Sequence, residues 1–260
     1  MSVLAVASAK SSPGVSTVAE LVVQLRPGDR RCVLLDCDPA GGEWLLRPGA
    51  SREPGLVSLA TAGRRDLPPG EVLRHLQHFG DRLEVLVGPA AGRQAWNALD
   101  LLAERLVSHL RGLEGIDAVV DCGMLCPASP ALPVVRAADV VVVVSRPTAR
   151  AVVHLAPWVQ QLGGDGADVV GALVEGPRSR HEPTYRPDEV AEALGVEVVA
   201  CLPHDPSAAA RLWAEPGRLG RITESGLVRS AVPMAEAVFA RGPAAPCSDL
   251  LPAWQQAVPQ

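Results

Sequence analysis

The chain has 260 residues, ordinary for one large α/β domain. It is 48% hydrophobic and 20% charged, which supports a sizeable core and excludes global disorder. Its formal net charge of −5 argues against a protein that coats nucleic acid through its overall field and leaves room for a local arginine patch. No apolar run approaches membrane-spanning length, and the N-terminus enters a strand without a basic region and long apolar stretch, so a cytoplasmic protein is expected.

In chain order, Val3–Ala7 is an apolar run short enough for a buried parallel strand. It breaks into the small-residue turn Ser11-Ser12-Pro13-Gly14. After Ser16 and Thr17 the residues Val18, Leu21, Val22 and Leu25 recur on one helical face. Residues 31–36 form a second apolar strand, ending in the turn-forming Asp36-Cys37-Asp38-Pro39-Ala40-Gly41-Gly42. A short helix is expected at Leu56–Ala62, a break at Pro68-Pro69-Gly70, a helix over Glu71–Phe79, a strand at Leu83–Val87 and a long helix over Gly92–Leu110. Asp117–Asp121 is another strand, followed by Cys122-Gly123. The five valines 140–144 have the β-branching of a central strand. A helix near 149–162, kinked or ended at Pro157, is followed by strand 168–174, helix 187–194, strand 196–201 and a helical region over roughly 206–240. Residues 242–260 hold prolines at 243, 246, 252 and 259 and read as a tail behind a domain of residues 1–241. Strands alternating with helices predict a doubly wound, mostly parallel sheet with helices on both faces.

Strand, tight loop and helix point backbone N–H groups and a helix N-terminus at a phosphate. Lys10, at the entrance to that loop, is the only lysine; the other 23 of the 24 basic residues are arginine. A lone survivor suggests a site that wants a compact ammonium rather than a planar fork. Ligands of such sheets bind at the carboxyl ends of the strands, where Asp36, Asp38 and Asp121 stand. The plainer readings are a solvated charge for Lys10 and an Asx turn for Asp36 and Asp38.

Residues 10–17, Lys-Ser-Ser-Pro-Gly-Val-Ser-Thr, resemble the deviant Walker A motif of the ParA/MinD family, Lys-Gly-Gly-Val-Gly-Lys-Thr-Thr. Lys10 matches the early signature lysine, Gly14 the central glycine and Ser16 the magnesium-binding hydroxyl. Asp36-Cys37-Asp38-Pro39 is similar to the family's Asp-x-Asp-Pro, and Asp121-Cys122-Gly123 to its Walker B segment. Ala137-Ala138-Asp139, Arg146-Pro147-Thr148 and residues 202–206 sit where the family has similar phrases, so the resemblance covers about residues 2–240. Degenerate actinobacterial MinD- and TadZ/CpaE-like members look closest. The resemblance implies a P-loop NTPase fold that binds ATP or ADP with Mg2+. Ser11, Ser12, Pro13, Gly14, Val15, Ser16 and Thr17 would cradle the phosphates, with Pro203 and Asp205 also on the nucleotide. Ser16, Asp36 and Asp121 would surround the magnesium. Asp38 would place the attacking water, and Lys10 would act catalytically on the nucleotide of a second protomer.

Four departures fall together on the phosphate side. Val15 replaces the second lysine, Pro13 lacks an N–H, and Ser11 and Ser12 replace glycines. Losing one charge-assisted hydrogen bond of about 1.5–3 kcal/mol weakens phosphate holding roughly 10- to 150-fold. The expectation is nucleotide binding with weak or absent hydrolysis. The functional expectation is a homodimeric positioning or assembly protein, for chromosome partitioning, division-site or pilus-apparatus localisation, that works with a protein partner or cargo adaptor. The alternative is a metabolic or carrier ATPase of the same fold, such as a dethiobiotin-synthetase-like ligase or an iron–sulfur carrier. A ligase should keep the phosphate lysine and a carrier should show bridging cysteines.

The six cysteines, at 32, 37, 122, 126, 201 and 247, contain no C-x-x-C pair. Those at 32, 37, 122 and 201 read as core thiols, and Cys122 with Cys126 as packing rather than a redox pair. His75 and His78 read as a solvated pair on one helix face, without carboxylate company. Arginines 211, 218, 221 and 229 offer a DNA-facing strip, but Glu215 and Glu224 interleave with them and favour a solvated face. The tail carries Leu250, Leu251 and Trp254 without Lys or Arg, which disfavours a membrane anchor against a partner-docking peptide.

Overall fold

The computed structural model describes residues 2–10, 13–64, 67–68, 70–176, 182–220 and 222–241. The expectations placed on Ser11, Ser12, Pro69, Arg221, Cys247 and the tail 242–260 lie outside the described residues. The elements are β1 (Val3–Ser8), α1 (Val15–Gln24), β2 (Arg31–Asp36), α2 (Leu56–Ala62), α3 (Glu71–Arg74), β3 (Gln77–Phe79), β4 (Leu83–Leu86), α4 (Gly92–Arg111), β5 (Ile116–Met124), α5 (Leu132–Ala137), β6 (Val140–Ser145), α6 (Ala149–Gly164), β7 (Asp168–Val174), α7 (Pro187–Leu194), β8 (Val198–Leu202), α8 (Pro206–Ala214) and α9 (Gly226–Ala240). The sheet order is β3-β4-β2-β5-β1-β6-β7-β8, and only the β3–β4 pairing is antiparallel.

The pleat explains how one sheet feeds two cores. Successive side chains of β1 alternate between faces. Val3, Ala5 and Ala7 pack with residues of α2, α4, α5, α6 and α7, while Leu4 and Val6 pack with α1, α8 and α9. The five valines of β6 divide the same way, so β-branched residues fill both faces of a central strand. Among the described residues no helix is long and apolar enough to cross a membrane.

The structure departs from the sequence expectations in five places. Glu71–Phe79 is not one helix: α3 stops at Arg74 and Gln77–Phe79 turns into the edge strand β3. Gln77 explains the switch. Its amide donates to the carbonyls of Ser51 (2.7 Å) and Pro54 and accepts from the Ser51 N–H (2.8 Å), while Phe79 packs edge-on against Trp44. His75 and His78 therefore share no helix face, and both have carboxylate neighbours, Glu71 at 3.4 Å and Glu84 at 3.5 Å. The helical region 206–240 is two helices, parted at Pro216-Gly217. Gly217 has φ +75° and lies so close to Gly80 that a Cβ on either would strike the other's chain. Helix α6 runs on through Pro157, whose exposed position leaves the freed carbonyl of exposed Val153 to water while Leu155, Val159 and Leu162 hold the buried face. Helix α5 was not foreseen, and β5 extends to Met124.

Beneath α1 lies a buried ion pair. Glu20 is fully buried and accepts from the Arg47 guanidinium, itself 4% exposed, which stacks 3.7 Å from the Trp44 ring centroid and donates to the Leu212 carbonyl. Burial raises the Glu20 pKa, and Arg47, Gln24 and the Gly217 backbone pull it back. A buried pair stripped of one partner leaves an uncompensated charge. Arg47→Met is expected to cost about 3–5 kcal/mol in urea unfolding at pH 8. The loss shrinks toward pH 5, because a proton then neutralises Glu20. A cost independent of pH would show that Arg47 acts through packing alone.

Candidate functional site

Parallel pairing sets Asp36, the last residue of β2, directly beside Asp121 of β5, and the Cys37 N–H then bonds the Asp121 carbonyl at 2.9 Å. Both side chains are buried, at 1% and 0% exposure. Asp36 Oδ2 accepts from the Trp44 N–H at 3.3 Å and Asp121 Oδ1 from the Gly123 N–H at 3.0 Å. Asp36 Oδ1 and Asp121 Oδ2 have no partner among the described residues. Asp38, half-buried, stands in the following turn, and its Oδ1 accepts from the Ala40 N–H at 2.8 Å. The Asx-turn reading of Asp38 is thus correct as far as it goes, and it leaves the second oxygen over.

Glycines make room for this group. A Cβ at Gly42 or Gly88 would strike the Asp36 carboxylate, and one at Gly123, with φ +59°, would strike that of Asp38. Sequence reading assigned no such role to Gly42 or Gly88, although their places, in the turn after β2 and at the end of β4, were legible.

Burial, then the charge of Asp121, pushes the Asp36 pKa up to about 8, against hydrogen bonds from the Trp44 and Gly88 backbones. Burial pushes Asp121 up to about 6, against the Ser16 side chain and the Gly123 N–H. Burial raises Asp38 too. Three acids that resist ionisation together, with two oxygens unpartnered, are chemically suited to receive positive charge.

The loop from β1 into α1 stands at the same edge of the sheet as these acids. Gly14 caps the helix at φ 101°, a left-handed conformation that glycine adopts without strain, and no side chain caps it. The Val18 N–H bonds the Gly14 carbonyl at 2.9 Å, so the N–H groups of the preceding turn are those a helix leaves for outside acceptors. Val15, 6% exposed, belongs to the hydrophobic core on the α1 side of the sheet. Ser16 and Thr17 are half-buried, and Ser16 faces Asp121. Pro13 is buried. Lys10 is exposed and its Nζ lies 3.2 Å from His154 Nε2 on α6, a pairing across 144 positions that no local pattern reveals.

Asp205 and Pro203 do not join the carboxylate group. Asp205 caps α8 by accepting from the Ala208 N–H at 2.9 Å, and Pro203 packs near Gly226 at the start of α9. Both follow β8, on the same edge of the sheet as Gly14. No group of three His, Cys, Asp or Glu side chains at metal-holding spacing occurs among the described residues. A small cation that keeps its waters fits this site better than one needing a full protein cage. Ser16 would be its direct hydroxyl, and Asp36 and Asp121 would receive its waters.

The chain is similar in fold to solved structures of partitioning and cell-division ATPases. A ParA family ATPase from Chlorobium tepidum superposes with a TM-score of 0.71 at 19% identity, over 90% of this chain and 97% of its own. The septum site-determining protein MinD of Pyrococcus horikoshii, complexed with Mg-ADP, gives 0.73 at 18% identity, over 91% and 95%. The MinC:MinD complex of Aquifex aeolicus gives 0.66 at 14% identity, over 96% and 99%. No protein-family model and no curated protein matches the sequence. At these identities the likeness is one of fold.

Asp36 and Asp121 stay protonated in the folded chain at pH values where the unfolded chain has ionised, so their contribution to stability is present near pH 4 and drains away as pH rises toward 8. In chelator, Asp36→Asn is expected to unfold at higher urea than the parent at pH 8, with the gap closing near pH 4. A variant less stable than the parent at pH 8 would contradict this.

Proposed function

We propose that the chain is a positioning or assembly protein of the ParA/MinD kind that binds Mg-nucleotide and turns it over slowly or not at all. The observation that carries this reading is the split character of the site. The carboxylate side is kept, with Asp36, Asp38 and Asp121 gathered at one strand edge, while Val15 is buried in the core where a P-loop lysine would reach the phosphates. The fold likeness to ParA and MinD over nine-tenths of the chain supports the class, and the MinD–MinC complex supports a protein partner for the Aquifex relative's fold.

In this reading a bound Mg2+ supplies charge neutralisation on the phosphates. Ser16 binds, Asp36 and Asp121 orient waters, and Asp38 holds a water for attack. Lys10 serves the nucleotide of a second copy across a homodimer, and to do so it must leave His154. Residues 242–260 act as a docking tail for the partner. Weak turnover suits a protein whose output is a contact rather than a product. The ligase and iron–sulfur carrier alternatives gain nothing: the phosphate lysine is absent, and among the described residues there is no cysteine cluster of metal-holding spacing.

Calorimetry with Mg-ATP, beside a hydrolysis assay, tests the proposal. The parent is expected to bind with little turnover. Val15→Lys is expected to tighten binding at least about tenfold, because a lysine stem can lie along the valine's apolar wall with its ammonium turned to the phosphates. Lys10→Ala is expected to abolish nucleotide-dependent dimerisation while leaving monomer binding in place. Rapid hydrolysis by the parent would sink the degenerate-site reading, and absence of binding by both parent and Val15→Lys would sink the phosphate site itself.

A further inference from the structure

At the opposite edge of the sheet, where β2 and β4 begin, lies a cleft of about 940 Å3 that the candidate site does not use. Three walls form it: the end of α1 with the turn that follows, the turn between β3 and β4, and the segment from Glu215 to Gly220. Five arginines line it, Arg26, Arg30, Arg31, Arg82 and Arg218, beside three carboxylates, Asp29, Asp81 and Glu215.

The arginines fall into two groups. Arg26 and Arg30 are both bound from behind by Asp117, whose side chain is 2% exposed and also accepts from the Ser2 N–H. Arg31 is held by both oxygens of Glu84. The two-point hold by Glu84 fixes the plane of the Arg31 guanidinium, and Arg26 is further set by its stacking 5.4 Å over the Phe239 ring, while Arg30 keeps a single 3.3 Å contact and donors to spare. Arg82 and Arg218, on the other two walls, are exposed and have no ion pair among the described residues. The walls that carry them are pinned together by the close backbone approach of Gly80 and Gly217. Two guanidinium groups without ion pairs, on joined walls of a cleft that three further arginines line, form a candidate receptor for negative charge.

Size and rim choose the ligand. The volume is that of a small-molecule site. Three carboxylates share the lining with the arginines, in a chain of net charge −5, and both oppose a long polyanion. We propose that this cleft binds a small phosphate-chain ligand, either an inorganic polyphosphate or a nucleoside polyphosphate, at a site separate from the loop at Gly14.

Titrating the full chain with sodium tripolyphosphate at fixed ionic strength in EDTA, which withholds the Mg2+ that the other site is proposed to need, provides the test. Arg82→Ala/Arg218→Ala is expected to lower affinity by at least about tenfold. Both arginines are exposed, so the double variant should melt with the parent. A nucleoside triphosphate that binds more tightly than tripolyphosphate, with the same arginine dependence, supports the nucleotide as the source; the reverse order supports the bare chain. Unchanged affinity in the double variant overturns the proposal. So does a short DNA duplex that binds more tightly than either small ligand through the same arginines, which would make the cleft part of a nucleic-acid surface.

Discussion

Two carboxylates side by side in a dry sheet are the constraint on which the rest of this structure turns. Parallel register makes Asp36 and Asp121 neighbours, and nothing among the described residues neutralises them. Like charges in a low-dielectric setting do not ionise together without cost, and a fold selected for stability alone would place apolar residues there. The cost is accepted at one spot, and the surrounding chain conforms to it. Gly42, Gly88 and Gly123 give up side chains for it, and the Trp44 N–H is spent on one of its oxygens. Such local strain against the general rules of a core marks a functional position.

The loop from β1 into α1 shows the opposite tendency. Val15 obeys the rules of the core, packing on the same face as Val18, Leu21 and Val22, and thereby gives α1 one more anchoring residue at its first turn. The loop follows β1 and the acids stand on β2 and β5, so the two halves of this region are held by different strands. Lys10 belongs to neither half. It rests against His154 on the flank of α6, 3.2 Å away and 144 positions along the chain.

Much of this was legible in the sequence because it depends on short-range patterns. The valine run of β6, the strand 168–174, the helices 56–62 and 187–194, and the acids at strand ends follow from periodicity and from where parallel strands stop. What was illegible depends on partners far along the chain. Gln77 looks helical until Ser51 and Pro54 are placed beside it, and Gly217 looks like a weak point in a long helix until Gly80 meets it. His154 carries no mark of Lys10. The orphaned oxygens of Asp36 and Asp121 are likewise a property of the register between strands 85 positions apart, which no local motif encodes.

The two edges of the sheet then differ in sign for a reason rooted in topology. With all but one pairing parallel, the carboxyl edge collects the loops that end strands and open helices, and the amino edge collects helix C-termini. Cations are favoured at helix C-termini, so Arg26, just past the end of α1, has a structural role whether or not a ligand ever arrives. Arg30 shares its carboxylate and Arg31 has Glu84. Arg82 and Arg218 have no such account. Arg82 sits in a strand-to-strand turn and Arg218 beyond the last turn of α8, and neither has an ion pair among the described residues. A protein that pairs its other arginines along this edge and leaves two exposed on joined walls has put charge where folding does not ask for it.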